Sequence, residues 1–225
     1  MDKPFVYVAN LGKYNEGELV GTFLHLPMKW DEIERKLHEE ALIGTCDCFG
    51  QPYEEYAIHD FDTTDWMEAT GWTPNEYSSL RELNALYAIV DACEDNDDAI
   101  SAYTESFSSA KTQLDVANLV MQGDRINFTP NMSASDYGRE LFEMDCDCYD
   151  VPKGFVERVE GYIDFEDYCK GDDVAFVGGG LLRSYDCDVD MNKYDWDDVL
   201  DEIERNGEFT REDLGYADDE DEEDE

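Results

Sequence analysis

Thiols are the most reactive side chains in this sequence, and two short motifs hold four of the seven cysteines. The motifs are Cys-Asp-Cys triplets, Cys46–Cys48 and Cys146–Cys148, which together could supply four thiolates to a zinc ion. Zinc sites usually separate paired cysteines by two to four residues, and these two triplets could meet only through a long-range contact. Free thiols in loops are therefore favoured over a metal site. The three histidines show no metal-ligand spacing either.

The aspartates from Asp186 to Asp197 begin like a calcium-binding loop. Met191 stands at the turn position that requires glycine, and Asp197 stands where the loop needs a glutamate. Weak cation binding is therefore expected here, and a calcium-binding acidic protein remains an alternative function. No nucleophile elbow, phosphate-binding loop or dinucleotide glycine pattern is present. Carboxylates that could act as an acid/base pair are numerous, but nothing in the sequence separates one pair from the rest.

Charge is the dominant feature of the composition. The chain has 58 Asp and Glu against 16 Lys and Arg, for a net charge of −42, yet 42% of its residues are hydrophobic and 13% aromatic. That apolar content predicts a folded body with an acidic surface, while the all-acidic end, Asp218–Glu225, predicts a disordered tail. Such a surface repels nucleic acid and anionic membranes, so basic protein surfaces or cations are the expected partners. Adaptation to high salt is a third explanation of the acidity.

The elements that carry these groups predict an α+β protein of three small domains followed by an acidic extension. Residues 1–61 read as a ββαβ unit built on a hairpin over Phe5–Pro27, whose connection from Asn10 to Gly17 has turn chemistry. Residues 62–123 read as a helical middle domain, in which a long connection over Asp62–Glu76 precedes a helix capped by Ser79.

Residues 124–190 read as a second α+β unit, with a strand over residues 125–129, a helix over Ser133–Met144 and a hairpin that turns at Gly178–Gly180. Residues 191–225 read as an acidic helix and tail; Asp195 is the expected N-cap of the helix, and Trp196, Val199, Leu200 and Ile203 form its apolar stripe. No apolar run is long enough for a membrane span, and no secretory signal is visible, so a cytoplasmic protein is expected.

Five stretches of sequence resemble the ArdA antirestriction proteins, in the same order along the chain. They are VYVANLGKYNEGELVG from Val6, EEYAIHDFD from Glu54, LRELNALYAIV from Leu80, DYGRELFEMDCDCYDVP from Asp136 and GYIDFEDY from Gly161. The resemblance covers roughly residues 5–185. Compared with a typical member, the chain has extra length around Cys46–Pro52, around Asp62–Pro74 and above all over Met191–Glu225.

The resemblance implies a DNA mimic: an elongated homodimer whose carboxylates imitate the phosphates of bent duplex DNA. Proteins like ArdA occupy the DNA-binding groove in the methyltransferase core of type I restriction–modification enzymes and protect incoming DNA of mobile genetic elements. They are not enzymes and need no cofactor. The family ties the region that resembles Gly138–Val151 to antirestriction activity and the C-terminal domain to dimerisation. Since B-DNA carries one charge per roughly 1.7 Å, 42 net charges correspond to about 70 Å of duplex.

The acids that we expect to form the mimic surface lie in the resembling stretches or, for Glu157 and Glu160, between two of them. They are Glu54, Glu55, Asp60, Glu140, Glu143, Asp145, Asp147, Asp150, Glu157, Glu160, Asp164, Glu166 and Asp167. Glu140, Glu143, Asp145, Asp147 and Asp150 are expected to matter more for inhibition than the acids of the tail, Asp218–Glu225.

Overall fold

The computed structural model describes residues 3–216 and shows an α+β fold with helices and two small antiparallel sheets. The α-helices of the described residues are α1 (Leu11–Asn15), α2 (Trp30–Glu39), α3 (Asp65–Thr70), α4 (Leu80–Ala92), α5 (Asp97–Ser106), α6 (Gln113–Val120), α7 (Ala134–Cys148), α8 (Lys153–Val159), α9 (Phe165–Tyr168) and α10 (Trp196–Asn206). The strands are β1 (Phe5–Asn10), β2 (Gly21–His25), β3 (Tyr56–Phe61), β4 (Phe128–Pro130), β5 (Ala175–Val177) and β6 (Gly180–Leu182). The predicted tail, Asp218–Glu225, lies outside the described residues.

These elements form two compact units, and neither unit is continuous in sequence. The first unit comprises the described parts of Met1–Asp95, Ala110–Met121 and Asp190–Glu225. The second unit comprises Asn96–Ser109 and Gln122–Val189. The first unit thus combines parts of three of the four segments that the sequence suggests. The four-segment division and the elongated shape stay predictions.

The sheet of the first unit has the strand order β2-β1-β3, with both pairs antiparallel. Alternation places Val6 and Val8 of β1 in the core, so the predicted hairpin is confirmed. Its connection was expected to be a simple turn but contains the short helix α1. The reason is local: the buried side chain of Asn10 accepts a hydrogen bond of 2.9 Å from the N–H of Lys13 and caps that helix.

Helix α4 is the central helix of the first unit, and most of its side chains are buried. Ser79 caps it as the sequence predicts, accepting from the N–H of Glu82 at 3.3 Å. The segment before it was expected to be a long connection but contains α3, which ends at Gly71 in the left-handed conformation (φ 67°). Trp66 of α3 is buried against Tyr87 of α4, with ring centroids 5.3 Å apart, so tertiary packing stabilises a helix too short to be seen in the sequence.

The extension beyond residue 190 belongs to the first unit, where its helix α10 contacts α4. The apolar stripe predicted for α10 is buried at Val199, Leu200 and Ile203. The approach to the helix is fixed by Asn118 of α6, which donates 2.9 Å to the carbonyl of Tyr194 and accepts 2.9 Å from its N–H. The predicted helix therefore docks on the body of the protein.

The second unit combines a three-stranded sheet, ordered β4-β6-β5, with helix α5 and the pair α7 and α9. Leu181 of β6 is fully buried, in a cluster with Tyr137 of α7 and Cys169. The glycine-rich turn was predicted correctly: Gly178 and Gly179 have positive φ angles of 56° and 75° between β5 and β6. The strands are shorter than expected, and the predicted strand at residues 125–129 begins only at Phe128. Within residues 3–216, no helix combines the length and the apolar character needed to cross a membrane.

Candidate functional site

Helix α7 carries the largest group of the predicted surface acids. Ser133 caps its start by accepting from the N–H of Asp136 at 3.1 Å. The sequence suggested an end near Met144, but the helix continues to Cys148, where the N–H of Tyr149 donates to the carbonyl of Asp145 at 3.0 Å. The extra turn places the Cys146–Cys148 triplet on a helix and not in a loop, and it extends the face that carries the acids.

Three acids of α7 form a row on one face of the helix. Glu140, Glu143 and Asp147 are spaced three and four residues apart, which places them on the same side of an α-helix over about 10 Å of its axis. All three are exposed, and their carboxylates form no hydrogen bond or ion pair with another described residue. We call Glu140, Glu143 and Asp147 the acidic row. Each of its charges is directly available to a partner.

Helix α9 packs closely on α7 at Gly138. A Cβ atom at Gly138 would lie 1.8 Å from the carbonyl oxygen of Phe165, so only glycine allows this approach. The guanidinium of Arg139 lies 4.3 Å from the centre of the Phe165 ring, within the range of a cation–π contact. Phe142 completes the contact with ring centroids 5.8 Å from Phe165 and 5.7 Å from Tyr168. The sequence did not single out Gly138 or Arg139, although a glycine inside a helical pattern is a recognisable signal of close packing.

Three of the predicted acids of the second unit are paired with other side chains and are not free. Asp145 accepts a 2.6 Å hydrogen bond from the hydroxyl of Tyr168, and this bond, with burial, raises the pKa of Tyr168 to about 12. Glu160 pairs with Arg139, and Asp167 pairs with Lys170. Asp145, Glu160 and Asp167 therefore contribute less free charge than the acidic row.

Four further acids of the second unit are exposed. Asp164 caps α9 by accepting from the N–H of Asp167 at 3.1 Å, and Glu166 follows in the first turn. Asp150 lies just after α7 with a positive φ of 52°, and Glu157 lies on α8. Together with the acidic row they give the second unit a strongly negative surface.

The other three predicted acids belong to the first unit. Glu54 and Glu55 are exposed just before β3, and Asp60 is exposed on the strand itself. The side chain of Asp60 accepts from the N–H of Phe61 at 3.0 Å. They form a group of their own on that unit.

Three acids of α10 pair with one arginine, Arg211, which no local sequence pattern indicates. Arg211 lies 3.0 Å from Asp197, 2.6 Å from Asp201 and 3.9 Å from Glu204. The hydrogen bonds that Arg211 donates to Asp201 and Asp197 raise the pKa of its guanidinium above its usual value. The negative charge of α10 is thus partly compensated within the unit, unlike that of the acidic row.

The thiols and the candidate calcium loop do not form a metal site in the described part of the chain. Residues 3–216 contain no group of three or more His, Cys, Asp or Glu side chains arranged to hold a metal ion. All seven cysteines lie within that range and form no disulfide, and Cys46 and Cys48 are exposed in a loop, as expected. The calcium-binding alternative gains no support from this geometry.

The fold and the surface define an acidic α+β protein that carries exposed, unpaired carboxylates on α7, a helix packed closely against α9. The family model described as antirestriction protein (ArdA) matches residues 6–183, and the chain belongs to this family. Membership implies an antirestriction function, the inhibition of restriction–modification enzymes. A search of curated proteins found no match. Helix α10 and the residues after it lie beyond the matched range.

Proposed function

We propose that this protein is a DNA mimic that occupies the DNA-binding groove in the methyltransferase core of type I restriction–modification enzymes. By excluding duplex DNA, it protects incoming DNA of mobile genetic elements. It acts in the cytoplasm as a homodimer, through binding alone and without a cofactor. The observation that carries the proposal is the acidic row, whose carboxylates are exposed, regularly spaced and unpaired with other described residues.

The spacing of the acidic row is close to the charge spacing of one DNA strand. Its three carboxylates extend over about 10 Å, since each helical residue rises about 1.5 Å. One strand of B-DNA places a phosphate every 3.4 Å, so the same length of strand carries about four charges. A basic groove shaped for a phosphate backbone would therefore meet a similar density of negative charge.

Rigidity supports the same function. Unpaired like charges repel each other, and a flexible acidic segment would lose conformational entropy on entering a groove. Here the close approach at Gly138, the Arg139–Phe165 contact and the Asp145–Tyr168 hydrogen bond hold α7 against α9, and so fix the backbone from which the acids project before binding. The arrangement should thus bind with a smaller ordering cost than a disordered acidic chain.

The first test is competition for a purified type I enzyme bound to a labelled duplex that contains its recognition site. Increasing amounts of this protein are added at several salt concentrations. We expect displacement of the duplex at near-stoichiometric protein, weakening as salt rises because the contacts are charged. A duplex that stays bound at large excess and low salt would refute the proposal.

A charge-neutralised variant identifies the responsible surface. It replaces Glu140 and Glu143 by Gln, and Asp145, Asp147 and Asp150 by Asn, which preserves an acceptor for the Tyr168 hydroxyl. Five charge contacts at roughly 0.3–1 kcal/mol each add up to about 1.5–5 kcal/mol, which predicts a loss of about tenfold to about five-thousandfold in apparent affinity.

The matched control deletes Asp218–Glu225, which removes eight acids and so more charge than the neutralised variant. We expect this deletion to weaken competition by less than the five substitutions. Equal competition by the neutralised variant and the unaltered protein would show that the acids between Glu140 and Asp150 are not the mimic surface.

A further inference from the structure

The loop between α2 and β3 is a small hairpin. Cys46 and Pro52 form an antiparallel bridge, and the N–H of Asp47 donates to the carbonyl of Gln51 at 2.9 Å. Closer to its base, the N–H of Tyr53 donates to the carbonyl of Thr45 at 2.8 Å. The segment is therefore an ordered ribbon.

Hydrogen bonds at the tip of this hairpin hold the backbone of Phe49 in place. The carboxylate of Asp47 accepts hydrogen bonds from the N–H groups of Phe49 at 2.7 Å and Gln51 at 2.8 Å. Gly50 closes the turn with a positive φ of 81°, and its N–H donates to the carbonyl of Asp47 at 3.1 Å. Phe49 nevertheless leaves 86% of its surface exposed to solvent.

The base of the hairpin is anchored in the first unit through Tyr53. This side chain is buried, and its hydroxyl donates to Glu16 at 2.7 Å. The ammonium of Lys13 lies 4.9 Å from the centre of the ring. A Cβ at Gly12 would come within 2.4 Å of the same ring, so α1 and the hairpin base fit closely. Movement of the tip is limited by this anchor.

A rigid turn that exposes a large aromatic ring has no evident role in the stability of the fold. Burying such a ring would stabilise the protein, while exposing it gains nothing in the free chain. In protein interfaces, by contrast, aromatic side chains that enter a pocket contribute much of the binding energy, and a fixed presentation reduces the entropy lost on binding. The hairpin has the properties of such an anchor.

We propose that Phe49 inserts into an apolar pocket, rimmed by Lys and Arg, on the restriction–modification enzyme that the acidic surface binds. The inference rests on the proposed function. The basic rim follows from charge complementarity, because Asp47 lies at the tip and the exposed Glu54 and Glu55 follow the hairpin. The contact adds an apolar, shape-dependent component to an interface that charge alone would leave weakly specific.

The test uses the same competition assay with Phe49→Ala. We expect apparent affinity to fall by about tenfold or more, as for a central aromatic anchor. Because no charge is removed, the dependence of affinity on salt should keep the slope of the unaltered protein. Phe49→Leu, which retains most of the apolar volume, should recover most of the loss. The matched control is Tyr77→Ala, since Tyr77 is 82% exposed on the same unit, and its affinity should be unchanged.

The role of the fixed turn is tested by a pair of substitutions at Asp47. Asp47→Asn removes the charge but keeps an acceptor for the two N–H groups, whereas Asp47→Ala removes both. If the tip is preorganised, Asp47→Ala binds more weakly than Asp47→Asn, chiefly through faster dissociation. Equal dissociation rates for the two variants would overturn the preorganised turn.

The outcomes separate this inference from the function on which it rests. If the unaltered protein does not displace duplex DNA, the proposed function fails and the hairpin loses its partner. If the unaltered protein competes and Phe49→Ala competes equally well, only the anchor is overturned. A loss for Phe49→Ala that is matched by Tyr77→Ala would also overturn it, since any exposed aromatic ring would then serve.

Discussion

Substituting Gly138 by Ala tests whether the α7–α9 contact holds the acidic surface in place. The new Cβ would lie 1.8 Å from the carbonyl oxygen of Phe165 and 2.7 Å from its carbonyl carbon, about 1.2 Å inside the 3.0 Å that real Cβ contacts respect. Both atoms are backbone, so no rotamer change relieves the overlap. Helix α9 must move away from α7.

The expected cost follows from three contributions. Overpacking costs about 1–3 kcal/mol, and weakening the aromatic contacts of Phe165 costs roughly 0.5–1.5 kcal/mol more. Alanine gains about 1 kcal/mol over glycine inside a helix. The free energy of unfolding should therefore fall by about 2 kcal/mol, and competition with duplex DNA should weaken because the acids of α9 shift.

The assay is urea unfolding followed by circular dichroism, beside the competition assay. Gly154→Ala is the matched control, because Gly154 also lies in a helix of the second unit but has no atom within 4 Å of a Cβ position. We expect Gly154→Ala to be unchanged or slightly stabilised. A Gly138→Ala protein as stable as the Gly154→Ala protein would refute the close contact between α7 and α9.

Two further predictions concern buried and titrating side chains. Asn118→Ala removes both hydrogen bonds to the backbone of Tyr194 and should lower the free energy of unfolding by about 2–3 kcal/mol, measured by urea titration. An unchanged urea midpoint would contradict it. The pKa of Tyr168, raised to about 12, predicts a contribution to stability that is complete below the unfolded pKa of about 10 and is lost as the pH rises to about 12. Tyr168→Phe should therefore show a shallower loss of stability over that interval, and parallel curves would contradict the hydrogen bond to Asp145.

Matched controls exist for both predictions. Asn192 is exposed, so Asn192→Ala should leave the urea midpoint unchanged. Tyr162 is 91% exposed, so Tyr162→Phe should reproduce the alkaline unfolding of the unaltered protein.

Local sequence signals predicted those parts of the fold that local interactions determine. The alternation around Val6 and Val8 indicated the first hairpin, and Ser79 and Asp195 marked helix starts that the structure confirms. Helices α1 and α3 were missed because each has at most six residues and no repeating apolar pattern. Their stability comes from a cap and from packing, neither of which periodicity reveals.

The sequence could predict which acids belong to the candidate site, but not which of them are paired with other side chains. The spacing of Glu140 and Glu143 within the predicted helix already indicates a common face, whereas Asp147 shares it only because α7 continues to Cys148. Two of the paired acids have partners more than 20 residues away, Asp145 with Tyr168 and Glu160 with Arg139. Such contacts require the fold, so the sequence could not separate free charges from structural ones.

The discontinuity of the first unit has a consequence for its synthesis. Helix α4 is complete at Ala92, but α10, which covers it, ends only at Asn206. At roughly 5–20 residues per second, translation takes about 6–23 seconds to cover that interval. During this time the apolar face of α4 that later packs against α10 is exposed. Chaperones and proteases therefore have access to the nascent unit until α10 leaves the ribosome.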